Sequence, residues 1–220
     1  MFSKIYKFIK KSWSKYKLKK RKDIITVAID SPAAAGAGTQ AKLIARYYNL
    51  QHLDTGRIYR LIGKLKLENS KKFNYSLIRK KIKNLNLNNL QNKNLLSNKV
   101  AVSASIIAKD KKIRDIVHKF QQKCAYSPPL KYDGSILDGR DIITVQIKDA
   151  MFKFFITASL KVRAKRRFRE LRNLNKKITL NKVLKSLKNR DKSDRERKYG
   201  PLKKTKDSIL INTTKLSKKA

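Results

Sequence analysis

The chain has 220 residues, of which 57 are Lys or Arg and 15 are Asp or Glu, so its formal net charge is +42. No apolar stretch approaches the roughly 18 residues that a membrane-spanning helix needs, so we expect no transmembrane segment. The single cysteine, Cys124, excludes an internal disulfide framework and fits a cytoplasmic location.

The excess of basic residues has two interpretations. It predicts attraction to polyanions such as nucleic acid or an anionic membrane surface. The lysines are, however, spread along the whole chain among Asn and Ile, which a codon bias would also produce without any functional meaning. We therefore expect salt-sensitive, nonspecific attraction to polyanions and no specific nucleic-acid partner.

Residues 1–22 form a separate basic extension. They contain ten basic residues and no acidic one, and Phe2, Ile5, Ile9 and Trp13 recur at helical spacing. One interpretation is a basic amphipathic helix that makes weak contact with an anionic membrane surface. The other is a solvated N-terminal extension.

A strand, a small-residue loop and a helix follow in order. Residues 24–29 are a short apolar run rich in β-branched side chains, as in a buried parallel strand, and the helical pattern opens at Thr39. This order is typical of a phosphate-binding loop. Four further strand candidates alternate with helical patterns, which predicts a mostly parallel, five-stranded sheet with helices on both faces. They are residues 53–54, 135–137, 152–157 and 208–211.

The loop departs from the usual phosphate-loop pattern G-x-x-x-x-G-K-[ST]. Residues 31–39 read SPAAAGAGT, so Ser31 replaces the first glycine and Ala37 replaces the lysine. Backbone N–H groups of such a loop bind phosphate, and the lysine reaches the β and γ phosphates. The loop alone is equally consistent with an ordinary turn between a strand and a helix.

Three later segments identify the lineage. Residues 53–60 read LDTGRIYR, residues 137–144 read LDGRDIIT, and residues 190–197 read RDKSDRER. With the loop, they resemble the nucleoside monophosphate kinase family, and the last two resemble its bacterial cytidylate kinase branch. The resemblance covers about residues 24–216.

The resemblance implies an α/β fold. Its three-layer core is of the P-loop NTPase type, at residues 23–62 and 134–220, with a basic lid at about 163–177. Residues 63–133 would be a small helical insert that binds the nucleoside monophosphate (NMP). Within it, the stretch at 63–103 is too short for the β-rich subdomain typical of the bacterial enzymes, so we expect either looser base selectivity or a smaller helical insert that closes the site. A closing C-terminal helix is expected to be missing.

The resemblance also implies a monomeric kinase that transfers a phosphoryl group from ATP to CMP or dCMP, with Mg²⁺ as cofactor. The loop would hold ATP, with Thr39 beside the metal, through Ser31, Pro32, Ala33, Ala34, Ala35, Gly36, Ala37, Gly38 and Thr39. Basic side chains of the lid would close over ATP, namely Arg163, Arg166 and Arg167.

The remaining implied residues would bind CMP. Those reading the cytosine base are Ser105, Arg114 and Asp141. Those around its phosphate are Thr55, Tyr59, Arg60, Arg140 and Arg197, and those holding the ribose are Arg190 and Asp194. The arginines expected to assist transfer are Arg140, Arg197, Arg163 and Arg167.

Helical spacing supports one of these groups independently. Arg190, Asp194 and Arg197 are at positions i, i+4 and i+7, which share one face of a helix. Without the resemblance, an ordinary surface ion pair would explain this spacing equally well.

Three alternatives to an active cytidylate kinase stay open at this point. Ala37 favours a catalytically impaired pseudokinase that binds nucleotide with the same fold. The basic extension favours an RNA- or membrane-associated protein. An adenylate or uridylate kinase would differ in its phosphate acceptor.

Overall fold

The computed structural model describes residues 24–172 and 178–216. The basic extension at 1–22, residues 173–177 of the expected lid and residues 217–220 lie outside the described residues. The core is a five-stranded sheet in the order β2-β3-β1-β4-β5, with every pair of neighbours parallel, so the predicted fold class is confirmed. The strands are β1 (Ile25–Asp30), β2 (Leu50–Asp54), β3 (Gly134–Gly139), β4 (Phe152–Thr157) and β5 (Ile209–Asn212).

Seven α-helices occur in the described ranges. They are α1 (Ala37–Tyr47), α2 (Thr55–Glu68), α3 (Tyr75–Lys83), α4 (Asn98–Ile107), α5 (Lys111–Tyr126), α6 (Leu160–Arg172) and α7 (Leu180–Glu196). Side-chain caps start several of them: Asp54 accepts from the Arg57 N–H, and Asp110 accepts from the Ile113 N–H. None of the described helices combines the length and apolar character that a bilayer crossing requires.

The sheet has an apolar layer on each face. One layer packs against α2 and α5, with Ile58, Ile62 and Val117 fully buried. The other packs against α1, with Ile44 and Phe154 fully buried. β1 and β3 are buried at every residue, which agrees with their central positions.

Residues 55–133 connect β2 to β3 through helices and short 3₁₀ turns, without a strand. The expected start of the insert at residue 63 falls inside α2. At that point α2 and α4 touch, because a Cβ built on Gly63 would lie 2.8 Å from the Ala104 nitrogen. Ser103 Oγ donates to the Gly63 carbonyl at 3.1 Å, so α4 is fixed against the helix that leaves the core sheet.

The strand register aligns three aspartates at one edge of the sheet. Asp54 is paired with Asp138, and Asp30 is paired with Gly139. Because these are the carboxyl ends of parallel strands, this is the edge where ligands bind in open α/β sheets.

Candidate active site

A cleft of about 970 Å³ opens along the carboxyl edge of the sheet. Its walls come from the loop at 31–39, from α2 and α4, from residues 138–141, and from α6 and α7. Among the described residues, ten Lys or Arg side chains line it against five Asp or Glu. The cleft is therefore electrostatically suited to a polyanion.

The loop before α1 leaves a helix start open to an anion. Ala34 and Gly36 have φ angles of 62° and 96°, and Gly36 is the N-cap of α1. No side chain among the described residues caps this helix, so its first N–H groups are free to donate to a ligand. Thr213 Oγ1 donates to the Ala35 carbonyl at 2.9 Å and fixes the loop from behind.

Position 37 carries no charge. Ala37 is 5% exposed and belongs to the apolar cluster that includes Ile29 and Ala41. Other cations line the same cleft, including Lys42 and Lys165.

Two carboxylates stand beside the loop. Burial raises the pKa of Asp54, and the neighbouring charge of Asp138 adds to that effect. His52 Nε2 lies 2.6 Å from Asp138 Oδ1. A Cβ built on Gly38 would lie 3.4 Å from Asp138 Oδ2, so this oxygen is next to the start of α1. The two carboxylates concentrate negative charge that a divalent cation would relieve.

Several arginines face one another across the cleft. Burial lowers the pKa of Arg60 to about 10, and repulsion from Arg167 adds to the decrease. Burial and then repulsion from Arg140 lower the pKa of Arg190 to about 10 as well. An anion placed among these side chains would relieve their repulsion, as expected for a phosphate site.

Asp194 holds part of this arginine group. Arg140 Nε donates to Asp194 Oδ2 at 3.0 Å. Arg190 and Arg197 form ion pairs with the same carboxylate at 3.8 Å and 3.7 Å. Asp194 therefore joins the segment after β3 to the last turns of α7.

A second carboxylate, Asp141, is the centre of a buried group. Arg114 Nη2 donates to Asp141 Oδ2, and Gln146 Nε2 donates to the same oxygen at 2.8 Å. Arg197 Nη2 is 3.5 Å from Asp141 Oδ1 and makes no hydrogen bond to another described residue. The buried Tyr59 hydroxyl also has no hydrogen-bond partner among the described residues. A buried donor without a partner is costly, so both groups are available to a ligand.

Comparison with known proteins identifies the family. The family model for cytidylate kinase matches residues 27–220. A cytidylate kinase of Fusobacterium nucleatum subsp. nucleatum is 40% identical over 207 residues, covering 89% of this chain and 92% of that protein. One from Thermosipho melanesiensis is 39% identical over 200 residues, covering 87% and 90%. One from Clostridium botulinum strain Hall is 36% identical over 201 residues, covering 86% and 90%.

The chain belongs to the cytidylate kinase family. The resemblance seen in the sequence is confirmed, and the shared region includes the strand, loop and helix at the start of the core.

The structure brings most of the candidate cytidylate kinase residues into one cleft. All nine loop residues line it, together with Thr55, Tyr59, Arg60, Ser105, Arg140, Asp141, Arg166, Arg167, Arg190, Asp194 and Arg197. Arg114 is outside this lining and contacts it through its ion pair with Asp141 and through the ring of Tyr59, 5.9 Å from its guanidinium.

Arg163 requires a correction. The sequence placed it in the lid over ATP, yet its side chain is buried and does not line the cleft. Its donors are used by Asp191, by the Ala158 carbonyl and by the Ala33 carbonyl. Arg163 therefore joins α6 and α7 to the back of the phosphate loop in this structure.

Two cleft carboxylates and a residue behind the cleft were assigned no role from the sequence. The carboxylates are Asp54 and Asp138, and their place at strand ends was a usable signal. Gln146 lies five residues after Asp141 and gave no signal, because its contact with Asp141 depends on a π-helical turn at Ile142–Gln146.

Proposed function

We propose that this chain transfers the γ-phosphoryl group of ATP to CMP or dCMP, giving ADP and CDP or dCDP. The observation that carries the proposal is the buried Arg114–Asp141 pair, whose carboxylate lines the same cleft as the open start of α1. The carboxylate of Asp141 can accept from the amino group of a base, and the start of α1 can bind the phosphates of a nucleotide.

The ATP end of the cleft is the loop at 31–39. Its backbone N–H groups would bind phosphate oxygens, and the positive end of the α1 dipole would stabilise their charge. Arg166 contributes to the shape of this end, because its guanidinium donates to the Thr213 carbonyl at 2.7 Å and to Thr213 Oγ1 at 2.8 Å. Arg167 is held less firmly than Arg166, because its ion-pair partner Glu170 is exposed.

The residues beside the loop fit Mg²⁺. This ion usually takes one or two carboxylates together with substrate phosphates, and the carboxylates of Asp54 and Asp138 both line the cleft. Asp54 and Asp138 would hold it, with Thr39 beside them at the start of α1. When bound, Mg²⁺ neutralises charge on the β and γ phosphates.

The acceptor end recognises cytidine. Cytosine presents an exocyclic amino group next to ring acceptors, so a carboxylate accepts from the amino group while Arg or Ser donors serve the ring. Asp141 would take the amino group, and Ser105 on α4 lines the wall nearby. Arg190 and Asp194 would hold the ribose hydroxyls.

Arginines of the cleft would carry the transfer. Arg60, Arg140 and Arg197 would neutralise the CMP phosphate so that its oxygen can approach the γ phosphorus. The bond from this oxygen to the γ phosphorus forms as the bond to the β–γ bridging oxygen breaks, and the electrons of that bond leave with ADP. Catalysis of this kind rests on alignment and charge rather than covalent help.

A coupled assay of ADP release tests the proposal. With Mg-ATP, CMP should stimulate release well above AMP and UMP, and the second product should be CDP. D141N should lose this stimulation, whereas D115N, which changes an exposed aspartate on α5, should keep it. Preference for AMP or UMP in the wild-type protein would instead indicate an adenylate or uridylate kinase.

Ala37 favours a second candidate, a cytidylate kinase homologue that binds nucleotides without turning them over. The missing charge removes one electrostatic contact with the transferring phosphate, which often lowers the rate about 10²–10³-fold. Calorimetric binding of ATP and CMP without CMP-dependent ADP release at high protein concentration would support this candidate and contradict the first.

A further inference from the structure

A chain of polar groups runs from the half-buried His118 on α5 to the back of the buried Asp141. His118 Nδ1 lies 2.6 Å from Gln146 Oε1, and Gln146 Nε2 donates to Asp141 Oδ2 at 2.8 Å. Gln146 is 2% exposed and ends the π-helical turn that begins after Asp141. Neither His118 nor Gln146 belongs to the motifs that carry the family resemblance.

The chemistry of the three side chains fixes their hydrogen atoms. An ionised carboxylate only accepts hydrogen bonds, so the amino group of Gln146 must face Asp141. The amide oxygen then faces His118, whose Nδ1 must carry hydrogen to donate to it. Because Nδ1 carries hydrogen in this neutral tautomer and in the protonated ring, His118 can fix the amide in both charge states.

This arrangement makes the two oxygens of Asp141 different. Oδ2 accepts from both Arg114 and Gln146, whereas among the described residues Oδ1 has only the 3.5 Å ion pair with Arg197. Gly200 packs over Oδ2, since a Cβ built on Gly200 would lie 2.6 Å from it. Oδ1 is therefore the oxygen with acceptor capacity left for a ligand.

The π-helical turn is itself anchored. Both oxygens of Asp30, at the end of β1, accept from the backbone N–H groups of Ile142 and Ile143 at 2.9 Å. Gln146 is thus fixed at its backbone by the core sheet and at its side chain by α5. A polar chain anchored at both ends in this way favours one arrangement of its side chains.

We propose that Gln146, held by His118, is a positioning residue that determines base specificity. It engages Oδ2 of Asp141 and so directs Oδ1 to the exocyclic amino group of cytosine. Uracil presents a carbonyl oxygen at that place, and two acceptor oxygens facing each other repel. This inference rests on the proposed function, in that it assumes that CMP binds at Asp141.

Calorimetric binding of CMP and UMP to the full chain tests the inference without requiring turnover. Loss of a hydrogen bond to a charged group predicts that Q146L binds CMP about tenfold more weakly, while UMP binding stays unchanged or tightens. H118L should shift the CMP-to-UMP ratio in the same direction, and H118N, which keeps a side-chain N–H, should restore most of it.

Y126F is the matched control, because the Tyr126 hydroxyl also joins α5 to the segment after the π-helical turn, through Asp149, without touching Asp141. It should leave the CMP-to-UMP ratio unchanged. The double variant Q146L/H118L replaces both polar partners of the hydrogen bond with apolar groups, so it should fold even if Q146L is unstable. It should show the same loss of selectivity.

An unchanged CMP-to-UMP ratio in Q146L and in the double variant, with only thermal stability reduced, would overturn the inference. So would a wild-type protein that binds neither nucleotide, which would also remove the proposed function. If the wild-type protein binds CMP but forms no CDP, the proposed activity fails, whereas a selectivity loss in Q146L would still support the role of Gln146.

Discussion

The guanidinium of Arg163 and the carboxylate of Asp191 form a double hydrogen bond between α6 and α7. Nη1 and Nη2 of Arg163 donate to the two oxygens of Asp191 at 3.1 Å and 2.5 Å, and both side chains are buried. Arg163 also donates to the Ala33 carbonyl at 3.1 Å, so one side chain connects both helices to the phosphate loop. The helix that carries Arg166 and Arg167 is therefore tied, together with α7, to the loop that would bind ATP.

Removing this contact should destabilise the protein strongly. We expect R163A to lower the free energy of unfolding by about 3–5 kcal/mol, because Asp191 would remain buried without a partner. Urea unfolding followed by circular dichroism measures this. The matched control is R167A on the same helix, whose partner Glu170 is exposed, and it should lose less than about 1 kcal/mol. Equal losses in the two variants would show that the Arg163 pair has no special structural role.

Restoring the charge at position 37 should increase turnover. We expect A37K to raise kcat with ATP and CMP at least about tenfold, since a preorganised contact with the transferring phosphate is worth about 10²–10³ in rate. A37M adds a side chain of similar length without charge and separates the effect of charge from that of bulk. If A37K and A37M have the same kcat as the wild-type protein, position 37 does not limit catalysis.

The positive φ angle of Ala34 should make the phosphate loop less stable than a glycine at this position would. Ala34 has a φ angle of 62°, and a residue with a Cβ is disfavoured there by about 1–2 kcal/mol. We expect A34G to raise the free energy of unfolding by about 0.5–1 kcal/mol, once the conformational entropy of glycine in the unfolded chain is included. The midpoint of urea unfolding should rise accordingly.

A35G, one residue further along, is the control for A34G. Ala35 is buried and its φ angle is not positive, so glycine there should lower stability. A decrease of the midpoint in both variants would contradict the account of strain at Ala34.

Two signals made the strands predictable from the sequence. Most of them are rich in apolar residues, and the others end at a recognisable turn. The predicted strand at 24–29 agrees within one residue with β1, and the one at 152–157 coincides with β4. β2 was seen only at its last two residues, since the polar Gln51 and His52 conceal its first part. The hydrogen bond between His52 and Asp138 shows why a histidine is accommodated there.

Motif resemblance predicted most of the residues that line the cleft, whereas spacing alone predicted contacts only along one helix. Arg190 and Arg197 both reach Asp194, as the shared helix face implied. No spacing rule tells which arginine of α6 faces α7, because that depends on how the two helices pack. The link from His118 to Asp141 passes through Gln146, which is 28 positions from His118 and 5 positions from Asp141. Because the shorter step lies in a π-helical turn, ordinary helical periodicity does not predict it.

The last prediction concerns Asp30, which is fully buried at the end of β1. Burial raises the pKa of this carboxyl from its ordinary value of 3.8 to about 7, and the nearby charge of Asp141 adds to the increase. The folded protein therefore holds a proton on Asp30 at pH values where the unfolded chain has lost it. The stabilisation from this proton is complete below about pH 4 and is lost as the pH rises through about 7.

We expect the unfolding free energy of the wild-type protein to fall, relative to that of D30N, by a few kcal/mol between about pH 4 and about pH 8. The side-chain amide of the D30N variant is neutral at every pH, so the difference between the two proteins isolates the titration of Asp30. Urea unfolding at a series of pH values measures it. Parallel curves for the two proteins over this range would show that Asp30 is ionised in the folded state, with the N–H groups of Ile142 and Ile143 offsetting its burial.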